Sequence, residues 1–274
     1  MNPIITLDAP CPVNIIKRPS AYCKTPYVAD ITINDQQFMA HCPALGCCGL
    51  SDKGSKVIVS PIKDKKEASK CNYRVELAIV EERGHQMIVG INPKLAEKIM
   101  YRLLETNLCP FLQPLSFERE KTFLNSRFDF AGIDQNERPF IMEIKNVPLA
   151  DYVDVPKKER KQYNTDDIPY HKKIAYFPDG YRKNSTDVVS PRALKHIKEL
   201  QEICIQTQNK TRAILCFVIQ RTDAEVFQPS NIDLTYKAAV QEAVIAGVEV
   251  RAIQCEWNVE GQCIFKKELA VRVQ

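Results

Sequence analysis

The chain has 274 residues, of which 45% are hydrophobic and 26% are charged. This composition is that of an ordinary globular protein and excludes a disordered, collagen-like or coiled-coil chain. The formal net charge is only +4, from 38 basic and 34 acidic residues. Charge alone therefore neither requires nor excludes a nucleic-acid partner.

The N-terminal part, to about residue 92, reads as short strands separated by turns, with no helix between them. The candidate strands are 13–17, 27–33, 56–62, 73–80 and 85–91. In the fourth of them, apolar residues alternate with polar or small ones, which is typical of a half-buried strand. Strands this short predict a small closed barrel or a sandwich.

A helix is predicted over 92–107, where Asn92 can cap the first turn and Pro93 suits its first position. We place a domain boundary here, which divides the chain into residues 1–92 and 93–274. The second part alternates strands and helices and predicts an α/β domain with a mixed sheet. Its predicted strands are 126–133, 140–147, 212–220, 248–257 and one within 262–273, and its predicted helices are 191–206 and 235–247.

The strands 126–133 and 140–147 form a predicted hairpin that could carry chemistry. Residues two apart in a strand share a face, so Glu143 and Lys145 point the same way. On the first strand Arg127 and Asp129 share a face, with two phenylalanines, 128 and 130, on the opposite one. A suitable register would bring Asp129, Glu143 and Lys145 together.

Two carboxylates and a lysine are the groups that metal-assisted phosphodiester hydrolysis uses. Carboxylate oxygens bind Mg²⁺, which polarises the phosphate and acidifies a bound water, and a lysine can orient that water. The pattern Glu-x-Lys is weak by itself, because Glu159-Arg-Lys161 also occurs, in a charged loop-like stretch. The alternative is an ion pair on a half-exposed sheet.

Several segments of this chain, in a fixed order, are similar to segments of a known protein family. They are AHCPALG (40–46), NSRFDF (125–130), EIKNV (143–147), YFPD (176–179), R-x-x-KH-x-x-EL (192–200), AILCFVIQRTDA (213–224), F-x-P-x-x-ID-x-x-Y (227–236) and AGVEV (246–250). Their ordered run resembles the sugar fermentation stimulation protein A family. The resemblance implies an OB-like barrel followed by a restriction-endonuclease-like domain of the PD-(D/E)xK type. It also implies a DNA-binding protein with a nuclease site that uses Mg²⁺ or Mn²⁺.

The resemblance also implies roles for individual residues. By position, Asp129, Glu143 and Lys145 match the catalytic residues, and the metal ligands would be Asp129, Glu143 and Glu118. A possible additional part of the site comprises Asp179, Arg192 and His196. The chain departs from the family pattern at residues 151–175, which read as an insertion.

Nucleic-acid binding is predicted for a basic stretch in this insertion and for one arginine of the barrel. The residues are Arg18, Lys157, Lys158, Arg160 and Lys161. Basic side chains bind the phosphate backbone and release counterions, although such a run is more often a flexible charged loop. The expected partner is single- or double-stranded DNA, with RNA as a weaker option. A non-catalytic, non-specific DNA-binding regulatory protein is the alternative to a nuclease.

The expected location is the cytoplasm, without membrane association. No apolar run reaches the ~18 residues of a membrane-spanning helix, and the N-terminus lacks the pattern of a secretory signal. The 11 cysteines include no Cys-x-x-Cys pair. An odd number of cysteines, several inside apolar runs, is typical of free thiols in a reducing compartment.

Overall fold

The computed structural model describes residues 2–45, 47–63, 70–180 and 187–273. Its first strands are β1 (Ile5–Thr6), β2 (Cys11–Lys17), β3 (Val28–Ile33), β4 (Gln36–His41), β5 (Lys56–Pro61), β6 (Tyr73–Glu82) and β7 (His85–Gly90). Strands β2 to β7 form one sheet in the order β4-β3-β2-β5-β6-β7, and β4 pairs again with β6. That second pairing closes the sheet, so the N-terminal part is the all-β, OB-like barrel that was predicted.

The barrel sorts its apolar residues between two faces. Val57 and Val59 of β5 point into the barrel, where they pack with Val75 and Val89. Ile58, between them, points outward and packs against the first helix. The alternation of a β-strand thus builds the barrel interior and a second apolar surface at the same time.

The remaining elements follow in chain order. They are α1 (Pro93–Glu105), β8 (Pro114–Phe123), β9 (Ser126–Asp134), β10 (Pro139–Val147), β11 (Ala150–Asp151), β12 (Lys173–Phe177), α2 (Pro191–Gln206), β13 (Arg212–Ile219), β14 (Ala224–Pro229), α3 (Leu234–Ala246), β15 (Glu249–Trp257), β16 (Gln262–Glu268) and β17 (Ala270–Val271), with a short 3₁₀ turn at Arg160–Gln162. No helix in these described ranges combines the length and the apolar character that crossing a bilayer requires.

These elements form the predicted mixed sheet flanked by helices. The large sheet has the order β1-β16-β15-β13-β10-β9-β8, and a smaller one has the order β11-β12-β14-β17. Strands β10, β13 and β15 are parallel, and the pairs at both ends of the large sheet are antiparallel. The sequence did not predict β8, because its polar residues are largely exposed and leave no apolar alternation. Strand β1 joins this sheet rather than the barrel.

Strand β13 lies at the centre of the sheet and separates two apolar cores. Ile214 and Val218 face α1, whereas Leu215 and Phe217 face α2 and α3. Each such side chain, when fully buried, contributes about 1.5–3 kcal/mol relative to exposure. Burial of both faces explains the uninterrupted apolar run in this segment.

The helices begin where the sequence supplies caps. The Asn92 side chain accepts from the Lys94 amide and so caps α1, while Pro93 occupies its first turn. Ser190 caps α2 in the same way by accepting from the Ala193 amide. These contacts satisfy amides that lack partners within the helix.

The barrel contacts the second part of the chain at the end of β7. The Gly90 amide donates to the Gln220 carbonyl at 3.0 Å, and Asn146 Nδ2 donates to the Gly90 carbonyl at 3.2 Å. Gln220 in turn donates to Asn146 Oδ1 and accepts from the Trp257 indole, at 2.6 and 2.8 Å. This network holds the barrel against the end of β10, beside Lys145.

Candidate metal centre

The candidate centre lies where β9 and β10 separate. Their ladder runs from Ile133–Pro139 to Phe130–Met142 and ends there. Beyond it the Ile144 amide donates to Asp129 Oδ2 at 2.7 Å, so a side chain replaces the next ladder carbonyl. Backbone geometry therefore fixes one Asp129 oxygen between the diverging strands.

The separation of the strands overturns one detail of the predicted hairpin. Phe128 and Phe130 were expected on one face of β9, but they pack in different cores. Phe130 belongs to the core beneath α1, and Phe128 to the core beneath α2, where its ring lies 5.9 Å from that of His196. Simple alternation fails here because residues 126–129 of β9, which precede Phe130, lie outside the ladder with β10.

Glu143 points to the α2 side of β10 and is only 3% exposed. Its Oε1 atom accepts from the Lys145 ammonium and lies 2.5 Å from His196 Nδ1. Its Oε2 atom is buried and has no hydrogen-bond partner among the described residues. Burial would raise the pKa of Glu143, but the His196 hydrogen bond and the Lys145 charge hold it below the usual value.

Asp129 has the opposite shift. Burial, followed by the charge of Glu143, raises the pKa of Asp129 to about 7, against the opposing effects of the Ile144 amide and Lys145. The two carboxylates are therefore close enough to repel each other. A positive charge between them would lower that cost.

The residues present fit a divalent cation. Glu143 Oε2 is a buried oxygen without a donor from the part of the chain that the structure describes, which is costly unless something binds it, and Asp129 supplies a second carboxylate beside it. In the described ranges no three His, Cys, Asp or Glu side chains are close enough together to enclose a metal. Two carboxylates, with water and substrate phosphate completing the shell, are a usual donor set for Mg²⁺.

A further acid near Asp129 comes from α1 and was missed by the sequence analysis. The Glu97 carboxylate adds to the raised pKa of Asp129. It accepts from Lys94 Nζ at 2.9 and 3.0 Å and lies 3.9 Å from Arg119. No sequence spacing links Glu97 to Asp129, because the two belong to elements that meet only in the folded chain.

Glu118, expected from the resemblance as a further ligand, is not assembled with these residues. It lies on β8 opposite Ala131, is exposed, and pairs with Lys121 at 2.6 Å. It lines one side of an apolar groove of about 600 Å³ between the β8–β9 hairpin and the C-terminal end of α2.

The three residues of the possible additional site lie in different places. His196 contacts Glu143 directly, whereas Arg192 is exposed one turn earlier on α2. Asp179 follows β12, accepts from the Cys48 thiol at 3.5 Å, and lies 3.8 Å from Arg160. It therefore joins a contact between the barrel loop and the insertion.

The predicted nucleic-acid-binding residues also separate into two groups. Lys157, Lys158 and Lys161 are all exposed. Arg160 instead pairs with Asp151 at 2.7 Å and donates to the Tyr176 hydroxyl at 2.6 Å.

The other predicted arginine, Arg18, holds barrel loops together. Its guanidinium donates to the carbonyls of Pro26, Ser51 and Ala44 at 2.8, 3.1 and 2.9 Å. Arg18 and Arg160 thus make internal contacts, while the three lysines face solvent.

Comparison with known proteins identifies the fold and the family of the chain. The fold is that of an OB-like barrel followed by a restriction-endonuclease-like domain, and the profile of the sugar fermentation stimulation protein RE domain (SfsA) matches residues 94–157 and 167–261. The chain belongs to the sugar fermentation stimulation protein family. The residues between the matched ranges, 158–166, are fewer than the 151–175 expected as an insertion.

Relatives cover most of the chain. The sugar fermentation stimulation protein homologue of Idiomarina loihiensis is 28% identical, over 84% of this chain and 85% of its own. That of Pelagibacter ubique is 29% identical, over 88% and 90%. The structure of Pyrococcus furiosus SfsA in complex with Ca²⁺ has a TM-score of 0.74 and 20% identity, and covers 99% of this chain and 100% of the other.

Proposed function

We propose that this protein is a nuclease that hydrolyses phosphodiester bonds in DNA with Mg²⁺ or Mn²⁺ as cofactor. The observation that carries the proposal is the buried, unpartnered Glu143 Oε2 beside Asp129, within the part of the chain that the structure describes. A purely structural ion pair with Lys145 would leave no reason to bury that second oxygen without a donor. The Ca²⁺ bound by the Pyrococcus furiosus relative supports a divalent cation, since Ca²⁺ and Mg²⁺ both prefer oxygen ligands.

The residues around Glu143 would have different roles in the site. His196 and Lys145 both contact Oε1, which would fix the carboxylate and leave Oε2 available to a cation. The Ile144 amide fixes Asp129 in the same way. When bound, the metal would polarise the phosphate and lower the pKa of a coordinated water.

Lys145 is the residue best placed for the reacting groups. Its side chain is only 11% exposed and its ammonium contacts Glu143. A lysine held there orients an attacking water and offsets the negative charge that develops on the phosphate. Removal of such a group costs ~10²–10³-fold in rate.

DNA is proposed as the substrate because lysines on the surface of the insertion provide backbone contacts. Lys157, Lys158 and Lys161 make no ion pair with the described residues, in contrast to Arg160. Single- and double-stranded DNA share the phosphate chemistry that such lysines bind.

The test compares Lys145→Ala with the wild type on labelled single-stranded DNA, double-stranded DNA and RNA, with Mg²⁺, Mn²⁺ or EDTA. We expect metal-dependent DNA cleavage that falls ~10²-fold or more in the variant, while DNA binding is retained. Lys121→Ala is the matched control, because Lys121 also pairs with a glutamate of its own strand, Glu118, but on the surface. Salt-sensitive binding without cleavage under any metal would instead identify a non-catalytic, non-specific DNA-binding regulatory protein. Cleavage of RNA but not of DNA would show that RNA is the substrate.

A further inference from the structure

A second cleft, apart from the candidate metal centre, lies between the barrel, the N-terminal segment and α1. Its volume is about 400 Å³, and it shares no lining residue with the Asp129–Glu143 site. This volume falls within the ~300–1,000 Å³ typical of small-molecule sites. We propose that the cleft binds one nucleoside monophosphate unit, with guanine as the preferred base.

The floor of the cleft carries polar groups from two paired strands. Ser60 of β5 lies directly opposite Arg74 of β6, and Glu76 follows two residues along β6. Ser60 is 6% exposed, and its hydroxyl is buried without a hydrogen-bond partner in the described ranges. Such a hydroxyl is rare in a folded protein unless a ligand or water completes it.

Glu76 is a buried carboxylate that can accept further hydrogen bonds. It is 5% exposed, and its Oε2 accepts from Asn92 Nδ2 at 2.6 Å. Arg74 Nε lies 3.9 Å from Oε1, which is beyond hydrogen-bond distance. An ionised carboxylate accepts about four hydrogen bonds, so Oε1 is available to N–H donors of a ligand.

The walls and the rim of the cleft supply the other two contacts that a nucleotide needs. Leu7, Ile62 and Leu95 line it with apolar surface suited to a flat ring. Arg74 and the exposed Lys98 lie on the same lining. A phosphate joined to the ring through a sugar would meet these cations, as phosphates meet arginine and lysine elsewhere.

The carboxylate distinguishes among the bases. Guanine presents two adjacent N–H donors on one edge, both of which can donate to Glu76 Oε1, and beside them an oxygen that can accept from the Ser60 hydroxyl. Thymine presents one N–H between two carbonyl oxygens. At least one of these oxygens would lie close to the Glu76 carboxylate and be repelled by it. When the wrong base is bound, the buried polar groups of the site lose their partners, so the site discriminates strongly between bases.

The nucleotide could come from solution or from a DNA strand, because both offer the same chemical unit. The experiment is calorimetric titration of the full-length chain with dGMP, with dTMP, and with single-stranded oligonucleotides rich in dG or in dT. Using Lys145→Ala in EDTA as the protein suppresses cleavage and keeps the outcome independent of the proposed nuclease activity. Saturable dGMP binding at least tenfold tighter than dTMP binding is expected if free nucleotide is a ligand. The same preference seen only with oligonucleotides would assign the site to a DNA strand.

Variants of the cleft connect the binding to these residues. In Glu76→Gln the amide oxygen can still accept from Asn92 while the NH₂ group faces the ligand, so we expect at least a tenfold loss of guanine binding. Ser60→Ala and Lys98→Ala are expected to weaken it about threefold or more without disturbing the Asn92 cap. Lys94→Ala, on the same helix but outside the cleft, is the matched control. Equal binding of dGMP and dTMP, binding unaffected by all three cleft variants, or no saturable binding of nucleotide or oligonucleotide would overturn the proposal.

Discussion

At the scale of single residues, the two oxygens of Glu143 have different environments, and this difference defines the candidate centre. Oε1 is occupied by Lys145 and His196, whereas Oε2 is buried and meets no donor from the described residues. Asp129 responds to the same crowding, since its pKa is raised to about 7 by burial and by the Glu143 charge. Without a cation, burial and the ionised Glu143 keep Asp129 protonated up to about neutral pH.

The raised pKa of Asp129 predicts a pH-dependent stability. The folded carboxyl holds its proton up to about pH 7, whereas the unfolded one loses it near the ordinary aspartate value of 3.8. Its contribution to the free energy of unfolding is therefore complete below pH ~4 and is lost as pH rises through about 7. In EDTA, Asp129→Asn should gain stability relative to the wild type by about 2 kcal/mol between pH ~5.5 and pH ~8.

Thermal or urea unfolding at the two pH values measures this change. Asp166→Asn, at an exposed carboxylate of the insertion, serves as the control and should show no such difference. With Mg²⁺ or Mn²⁺ at the higher pH, the wild type should be stabilised and Asp129→Asn should not. An equal stability difference at both pH values would contradict the partly buried environment assigned to Asp129.

At the scale of elements, the segment 151–175 is anchored to the second sheet at Asp154. Asp154 is 4% exposed and accepts from Gln228, Ser230 and the Asn231 amide, each at 2.7 Å. Further along, Tyr170 stacks on His85 of the barrel with ring centroids 4.3 Å apart. The segment therefore links the barrel to the second sheet.

The exposed lysines of this segment predict the salt dependence of DNA binding. Replacing Lys157, Lys158 and Lys161 by alanine should reduce the slope of log K against log[salt] by up to ~2.7, or ~0.9 for each phosphate that a lysine no longer neutralises. Fluorescence anisotropy with labelled duplex DNA at several salt concentrations measures the slope. Arg160→Ala should leave the slope nearly unchanged but lower the thermal stability, because it leaves Asp151 without its partner. A slope unaltered by the triple substitution would remove these lysines from the DNA interface.

At the scale of the whole molecule, a close backbone approach joins the barrel to the second domain. A Cβ atom added at Gly90 would lie 2.1 Å from Gln220 Oε1 and 2.7 Å from its Cβ. Only glycine allows β7 to approach this closely. Because Gln220 also holds Asn146, next to Lys145, the contact connects the position of the barrel with the candidate centre.

Gly90→Ala should therefore lower the free energy of unfolding by ~1–3 kcal/mol through overpacking. In Gly90→Ala/Gln220→Ala the loss should be smaller than the sum of the single losses, since truncation of Gln220 removes two of the three clashing atoms. Chemical unfolding of the four proteins gives the coupling. Gly54→Ala, whose added methyl meets nothing within 4 Å, should be additive with Gln220→Ala. Additivity at Gly90 as well would show that the barrel does not pack on Gln220.

Much of the fold could be predicted because local patterns decide it. The apolar run of β13, the cap Asn92 and the alternation in the barrel strands are all signals within a few neighbouring residues. Strand β8 gave no signal, since an exposed edge strand needs no apolar face. Strand β1 is too short for a pattern, and it gains stability only by pairing with β16, which lies far along the chain.

For the candidate centre too, local sequence patterns predicted some features, and the packing of distant elements determined the others. Strand periodicity was enough to put Glu143 and Lys145 on one face of a strand and Asp129 on its neighbour, because periodicity needs no distant contact. Folding added that β9 leaves the ladder, that His196 takes one Glu143 oxygen, that Glu97 rather than Glu118 lies near Asp129, and that Arg18 and Arg160 are paired internally. Each of these depends on which remote elements pack together, and that choice comes from burial and pairing summed over the whole chain rather than from any short stretch of residues.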